Sequence, residues 1–154
     1  MRLDEAGLSQ WGRRIGETLR PPAFLGLQGP LGAGKSVLAR AIGDGAGVGP
    51  SMPSPSYNLV FRYPSAIGHE VLHLDLYRIE SSDELWELGW DTLGMDHEIV
   101  LVEWPERAGD MMPGDHWLIQ LDLVPGSPAL RDVSVHRIGT ASDLAPFPVT
   151  AAGA

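Results

Sequence analysis

Apolar residues recur along this chain at helical spacing in some segments, and in alternation or continuous runs in others. A stripe at helical spacing predicts an amphipathic helix over residues 4–19, formed by Leu8, Trp11, Ile15 and Leu19. Two prolines then end that helix, and the apolar run of residues 23–27 predicts a buried strand. Residues 37–42 predict a second helix that ends near a glycine.

The middle of the chain predicts two strands followed by a helix. Residues 58–63 have strand character, and residues 70–77 alternate so that their leucines share one face. Residues 81–89 predict a serine-capped helix with acidic residues in its first turn and a glycine at its end.

The second half adds three strands. Residues 99–102 form a continuous apolar run, as expected for a central parallel strand covered on both faces. Residues 116–123 and 132–136 predict an antiparallel pair joined by a turn-rich connection. The pattern predicts an α/β fold of three layers, whose mixed sheet has a parallel core and an antiparallel C-terminal extension. We expect one domain over residues 1–138, followed by a disordered tail over residues 139–154 that is rich in Ala, Pro, Thr and Gly.

The composition restricts the classes of partner. A formal net charge of −9, with the 11 basic residues scattered along the chain, argues against direct binding to a nucleic-acid backbone. The absence of cysteine excludes disulfides and thiolate metal sites. No apolar run reaches the roughly 18 residues of a membrane span, and no signal-peptide pattern is present at the N-terminus.

The most specific motif is Gly29-Pro30-Leu31-Gly32-Ala33-Gly34-Lys35-Ser36, between the first predicted strand and the second helix. It matches G-x-x-x-x-G-K-[ST], the phosphate-binding loop of nucleotide triphosphatases, so the domain is P-loop NTPase-like. Its glycines let backbone N–H groups turn toward phosphate oxygens, while Lys35 supplies positive charge and the Ser36 hydroxyl is a ligand for Mg²⁺. The motif predicts nucleotide contacts from Gly29, Leu31, Gly32, Ala33, Gly34, Lys35, Ser36 and Val37.

Two acidic residues stand at the carboxyl ends of predicted strands. Asp75 closes the alternating strand, and Glu103 follows the continuous apolar run. Ligands bind outside the carboxyl ends of strands in open α/β sheets, so we expect both carboxylates beside the phosphate loop. We predict that Mg²⁺ is held by Ser36 with one or both carboxylates, and that the second carboxylate orients the attacking water. The sequence leaves open which acid does which, and the predicted catalytic residues are Lys35, Asp75 and Glu103.

Two further residues are candidates for contact with the nucleotide. Ser56 lies in a segment rich in serine and proline that resembles the γ-phosphate sensor of nucleotide switches, although an ordinary loop fits the pattern equally. Trp104 directly follows Glu103, and either stacks near the site or packs within the protein.

Taken together, these motifs resemble the TsaE family, the small bacterial ATPases needed to form threonylcarbamoyladenosine in tRNA. The phosphate loop is accompanied by S-P-S-Y-N-L-V at 54–60, H-L-D-L-Y-R at 73–78, E-L-W-E-L-G at 84–89 and V-E-W-P at 102–105. The resemblance covers about residues 3–137. There are two departures, because Pro30 replaces a usual acidic residue and Ser56 replaces a usual threonine.

The resemblance implies ATP hydrolysis with Mg²⁺ inside a complex with TsaD-like and TsaB-like proteins, with tRNA contacted only indirectly. ATP turnover would drive or reset the partner transferase that modifies an adenosine beside the anticodon. We expect a cytoplasmic protein whose turnover is slow alone and faster in the complex, because no arginine finger is identifiable in the sequence.

Two other functions fit part of the pattern. A small-molecule kinase also uses a phosphate loop, but residues 43–57 contain no arginine or lysine of the kind that a kinase lid usually supplies. A nucleotide-gated binding module without catalysis is the second alternative. A GTP-specific switch is disfavoured, because guanine recognition by N-K-x-D needs a second lysine and Lys35 is the only one. ATP is therefore the expected nucleotide.

Overall fold

A computed structural model describes residues 1–48 and 60–148. In chain order its helices and strands are β1 (Arg2–Leu3), α1 (Glu5–Thr18), β2 (Ala23–Gln28), α2 (Lys35–Gly45), β3 (Val60–Pro64), β4 (Glu70–Asp75), α3 (Ser82–Glu87), β5 (Glu98–Glu103), β6 (His116–Leu123) and β7 (Arg131–Ile138). Short 3₁₀ helices lie between α3 and β6, at Trp90–Thr92, Pro105–Arg107 and Gly109–Met111.

The strands form one mixed sheet in the order β1-β7-β6-β2-β5-β4-β3. β2 pairs in parallel with both β5 and β6, and β5 pairs in parallel with β4. The outer pairs, β3 with β4 and β7 with β6 and β1, are antiparallel. The mixed sheet with a parallel core is therefore confirmed, and every residue of β5 is buried, as its continuous apolar run predicts.

Apolar side chains cover both faces of the sheet and create the three layers. α1 and α2 pack on one face, against side chains such as Leu25, Ile99 and Ile119. α3 and the 3₁₀ helices cover the other face, where Leu72, Val100 and their neighbours form a second cluster. Parallel strands keep their carboxyl ends at one edge, so this arrangement brings the ends of β2, β4 and β5 together.

The segment after β7 differs from the disordered tail that its composition predicted. Residues 139–148 lie against α1 and β6, with Ala141 and Ala145 buried. The Trp11 indole N–H donates to the Ala145 carbonyl at 2.9 Å, and the Trp11 and Phe147 rings lie 4.7 Å apart. Trp117 also donates to the Ser142 carbonyl at 2.6 Å, and Leu144 and Phe147 pack against the core. Indole hydrogen bonds and apolar contacts therefore hold this segment together. Residues 149–154 of the predicted tail lie outside the described part of the chain.

Local capping agrees with the sequence at α1 and differs at α3. Asp4 caps α1 by accepting the Gly7 N–H at 2.8 Å. Ser81 occupies the capping position of α3, but its side chain makes no capping hydrogen bond. Among the described residues, no helix is long and apolar enough to cross a membrane.

Candidate nucleotide site

The phosphate loop joins the end of β2 to the first residue of α2, and two of its glycines are required by the backbone. A β-carbon at Gly29 would lie 2.3 Å from the Leu121 carbonyl oxygen, so no other residue fits beside β6 without displacing backbone. Gly34 precedes α2 with φ of 102°, in the left-handed region that side chains disfavour. This backbone directs the N-terminus of α2, with its unpaired N–H groups, into the space above the loop.

Lys35 is held inside the loop and is only 5% exposed. Its ammonium donates to the carbonyls of Gly29 and Pro30, the latter at 3.0 Å, and lies 4.1 Å from the centre of the Trp104 ring. Burial lowers the pKa of Lys35, and the nearby carboxylates of Glu103, Glu106 and Asp75 oppose that shift. Lys35 is thus fixed at the loop by two backbone carbonyls. A bound phosphate can replace these carbonyls as the hydrogen-bond acceptor of the ammonium.

Glu103 connects the phosphate loop to β4 through a chain of polar contacts. The Ser36 hydroxyl lies 3.2 and 3.1 Å from its two carboxylate oxygens and can donate to either. On its other side, Nε2 of the fully buried His73 lies 2.6 Å from the same carboxylate. Nδ1 of His73 has no hydrogen-bond partner among the described residues, which fits a ring whose proton is on Nε2 and is donated to Glu103. The carboxylate is therefore fixed from two sides.

Asp75 lies beside Glu103, because β4 and β5 are paired in parallel with these two residues in register. One of its oxygens accepts the Tyr77 N–H at 2.9 Å. Burial raises the pKa of the Asp75 carboxyl, and the neighbouring Glu103 raises that pKa further; the Tyr77 N–H and Lys35 oppose both effects. Its raised pKa makes Asp75 a stronger base than an ordinary aspartate, which suits a role in accepting a proton.

Trp104 directly follows β5 in an unusual backbone conformation. Its φ of 60° is the only positive value at a non-glycine position in residues 1–48 and 60–148. The Trp104 N–H donates to the Leu27 carbonyl at 3.2 Å, and its ring contacts Tyr77 at 4.9 Å between centres. Such strain is found where a site holds a side chain in place, and here it directs the indole against the Lys35 ammonium.

These groups surround a cleft of about 320 Å³, which contains most of the residues that the sequence predicted for the site. The lining residues are Leu31, Gly32, Ala33, Gly34, Lys35, Ser36, Val37, Asp75, Glu103 and Trp104. Gly29 lies at the base of the loop and contributes its carbonyl to Lys35. Ser56 lies outside the described residues.

The oxygen atoms of the cleft fit Mg²⁺ bound together with a nucleotide. The described residues contain no group of three or more His, Cys, Asp or Glu side chains that could hold a metal ion by themselves. The cleft instead offers the Ser36 hydroxyl and the carboxylates of Asp75 and Glu103. Mg²⁺ typically binds one or two carboxylates plus substrate phosphates, so this donor set suits a metal that arrives with its nucleotide.

Two residues near the site were not found by the sequence analysis. His73 was not among the predicted site residues, yet it contacts Glu103; its only signal was that it shares a strand face with Asp75, two residues away. Arg131 donates to the carbonyls of Gly32 and Ala33 in the loop. No local pattern indicated it, because it is 98 residues from Ala33 in the chain.

Comparison with known proteins agrees with this geometry. The family model described as "Threonylcarbamoyl adenosine biosynthesis protein TsaE" matches residues 3–127, which include the loop and both carboxylates. The chain belongs to the TsaE family. The resemblance stated from the motifs is therefore confirmed.

Two relatives with this name are similar over about nine tenths of their own length. The chain is 32% identical to the tRNA threonylcarbamoyladenosine biosynthesis protein TsaE of Streptomyces coelicolor, covering 86% of this chain and 91% of that protein. It is also 32% identical to the protein of the same name from Haemophilus influenzae, covering 88% and 89%. Among solved structures, Bacillus subtilis YdiB superposes with a TM-score of 0.67 at 20% identity, covering 90% of this chain and 84% of that one, which shows a shared fold.

Proposed function

We propose that this protein is a Mg²⁺-dependent ATPase that acts in the formation of threonylcarbamoyladenosine in tRNA. The observation that carries the proposal is the contact of the Ser36 hydroxyl with Glu103, beside the buried ammonium of Lys35. A phosphate loop next to such a carboxylate is the arrangement that nucleotide triphosphatases use to hold metal and phosphates. The TsaE relatives, named for tRNA threonylcarbamoyladenosine biosynthesis, support the biological role.

We assign different roles to the two carboxylates. Glu103 contacts the Ser36 hydroxyl directly, so these two residues would hold Mg²⁺. Within residues 1–48 and 60–148, the hydrogen bond of Asp75 is the one it accepts from the Tyr77 N–H, and its raised pKa suits a group that orients a water and accepts its proton. The sequence had left this choice open.

Hydrolysis of a phosphoanhydride requires charge neutralisation and a positioned water more than covalent chemistry. Lys35 and the loop N–H groups from Gly32 to Ser36 would bind the β- and γ-phosphates, and bound Mg²⁺ would supply further positive charge to them. Asp75 would hold the attacking water, while Trp104 keeps Lys35 from turning out of the loop. Ser56 is proposed to contact the γ-phosphate when the loop is filled.

A second cavity adjoins the loop and suits the nucleoside. Its volume is about 400 Å³, and it is formed by the start of α1, the outer side of the phosphate loop, and Pro128 and Ala129 before β7. Because it shares Gly32, Ala33 and Gly34 with the phosphate cleft, a nucleotide can reach both. Adenine is the proposed base, since Lys35 is the only lysine and an N-K-x-D guanine motif is absent.

We propose that TsaD-like and TsaB-like proteins are the partners, and that tRNA is contacted only through them. The net charge of −9 supports indirect contact with tRNA. Leu31 is 69% exposed at the tip of the loop, and a partner that covers this apolar side chain would also close the cleft. A cytoplasmic location follows from this proposed role.

The test is release of phosphate from ATP by the purified protein, alone and with both candidate partners. We expect slow release alone, faster release in the complex, and none without Mg²⁺. Turnover at about ten per second or more without partners would contradict the need for them. A small-molecule kinase would instead yield a phosphorylated product, and a non-catalytic module would bind ATP without releasing phosphate above the level of an Asp75→Asn variant.

A further inference from the structure

Arg131, the first residue of β7, ties the phosphate loop to the chain segment that precedes this strand. Its Nε donates to the Ala33 carbonyl at 3.1 Å, and its Nη2 donates to the Gly32 carbonyl at 3.0 Å. The remaining nitrogen, Nη1, donates to the carbonyls of Pro128 and Leu130 at 2.7 and 2.8 Å. One guanidinium therefore joins two successive carbonyls of the loop to the chain segment that leads into β7.

These contacts set the direction of the loop N–H groups. In a trans peptide the carbonyl and the N–H of the next residue point in opposite directions. With the Gly32 and Ala33 carbonyls turned toward Arg131, the N–H groups of Ala33 and Gly34 are turned away from it. Accordingly, the Ala33 N–H donates to the Pro30 carbonyl at 3.1 Å.

The same Pro30 carbonyl accepts a hydrogen bond from the Lys35 ammonium at 3.0 Å. The loop backbone therefore links Arg131 to Lys35. Arg131 lies on the outer side, the peptide groups of residues 30–34 lie between, and Lys35 lies inside. A change at Arg131 would release the peptide groups that keep the Pro30 carbonyl in reach of Lys35.

We propose that Arg131 is a positioning residue for phosphate recognition, which it supports by fixing the orientation of two loop peptide groups. The proposal rests on the proposed function, in which the loop binds the phosphates of ATP. A guanidinium is suited to this because its planar nitrogens donate in fixed directions to several acceptors, whereas a lysine ammonium has no such fork. Arg131→Lys therefore keeps the charge and removes the geometry.

The first test measures binding of ADP and of AMP to the wild type, Arg131→Lys and Arg131→Met by calorimetry. Because the loop is proposed to bind the β-phosphate, ADP affinity should fall at least about tenfold in both variants, while AMP affinity changes less than about twofold. Equal losses for ADP and AMP would overturn the proposal and make Arg131 part of the nucleoside cavity, which it also lines. Full ADP affinity in Arg131→Lys would overturn it as well, since charge alone would then suffice.

A matched control is Arg137→Met on the same strand. Arg137 is more exposed than Arg131 but is likewise bonded to a backbone carbonyl, that of Ala141. It lies against Trp117, on a different part of the strand from the loop contacts of Arg131. Its replacement should leave ADP affinity unchanged. If it lowers ADP affinity as much as the Arg131 variants do, the effect is general to β7 and the proposal fails.

The second test does not require nucleotide. Amide hydrogen exchange of Ala33 should accelerate at least about tenfold in Arg131→Lys, because its bond to the Pro30 carbonyl is loosened, while amides in the β6–β7 pair keep their wild-type rates. An unchanged Ala33 rate, or acceleration of all amides together, would refute a local positioning role. If the wild type binds no adenine nucleotide, the proposed function fails, and the exchange result still decides whether Arg131 orders the loop.

Discussion

Asp75→Asn should make the folded protein more stable while it abolishes most of the hydrolysis. Asp75 ends β4 in register with Glu103 of β5, and burial, followed by the neighbouring Glu103, raises the pKa of its carboxyl. At neutral pH the ionised form is therefore disfavoured in the folded protein relative to the unfolded chain. Asparagine has nearly the same shape, keeps an oxygen that can accept the Tyr77 N–H, and removes the charge.

The expected gain in stability of Asp75→Asn follows from the distance between the strands that carry the two carboxylates. At the roughly 4.8 Å between adjacent strands, two unit charges repel by about 3 kcal/mol at an effective dielectric constant of about 20. The Lys35 ammonium offsets part of this repulsion. We expect a net gain of about 0.5–2 kcal/mol in the free energy of unfolding, the range seen when a functional conflict is relieved. For a chain of this size that gain raises Tm by about 1–8 °C.

The gain should depend on pH in a defined direction. Since the folded protein binds the Asp75 proton more tightly than the unfolded chain, the associated stabilisation is present below the ordinary pKa of 3.8 and is lost as pH rises through the raised value. Wild type and variant should thus be similarly stable near about pH 4, and the variant should be more stable at neutral pH. Urea unfolding followed by circular dichroism across this range measures the difference.

The same variant is then assayed for phosphate release from ATP. We expect a loss of at least about 100-fold, equivalent to about 2.7 kcal/mol in the activation barrier, with ADP affinity retained. Glu98→Gln is the matched control, because Glu98 is as buried as Glu103 at the other end of β5. Glu98 accepts two backbone N–H groups at 2.9 Å and the Arg62 guanidinium at 3.2 Å, so its replacement should cost about 1–3 kcal/mol of stability and leave hydrolysis intact. An Asp75→Asn variant that is less stable than the wild type at pH 7, or hydrolyses ATP normally, would refute the reasoning.

Three further predictions concern other parts of the molecule. Lys35→Ala should weaken ATP binding about 10- to 100-fold in a calorimetric titration, because a charged donor to phosphate is lost; unchanged affinity would remove Lys35 from the site. Glu103→Gln should raise the Mg²⁺ concentration needed for half-maximal phosphate release at least about tenfold, since it keeps the shape and loses the charge that would hold the metal; an unchanged requirement would assign Mg²⁺ elsewhere. Trp11→Phe should lower the free energy of unfolding by about 1–3 kcal/mol, because the buried Ala145 carbonyl loses its donor, and a variant of wild-type stability would contradict the observed packing of residues 139–148.

Local patterns in the sequence were sufficient for the three α-helices, for strands β2 to β7 and for most residues that line the cleft, but not for β1 or the 3₁₀ helices. The continuous apolar run before Glu103 predicted a central parallel strand because only a strand covered on both faces places every side chain in an apolar environment. The loop motif predicted its own position between β2 and α2, since its glycines and its lysine act within eight consecutive residues. Parallel pairing then brings Asp75 and Glu103 side by side, a consequence of sheet geometry that the sequence order already implied.

The tertiary structure alone decided which groups support the site from outside. His73 and Glu103 are 30 residues apart, Arg131 and Ala33 are 98 apart, and Trp11 and Ala145 are 134 apart. Packing desolvates His73 and Trp11, and their burial then requires a hydrogen-bond partner wherever the fold supplies one. Arg131 stays partly exposed and finds its acceptors in the distant phosphate loop. Residues 139–148 pack on the domain through Leu144, Ala145 and Phe147 and through hydrogen bonds from Trp11 and Trp117 to their backbone, contacts that their composition did not indicate. Sequence spacing contains no record of such pairings, since they arise only when distant segments pack together.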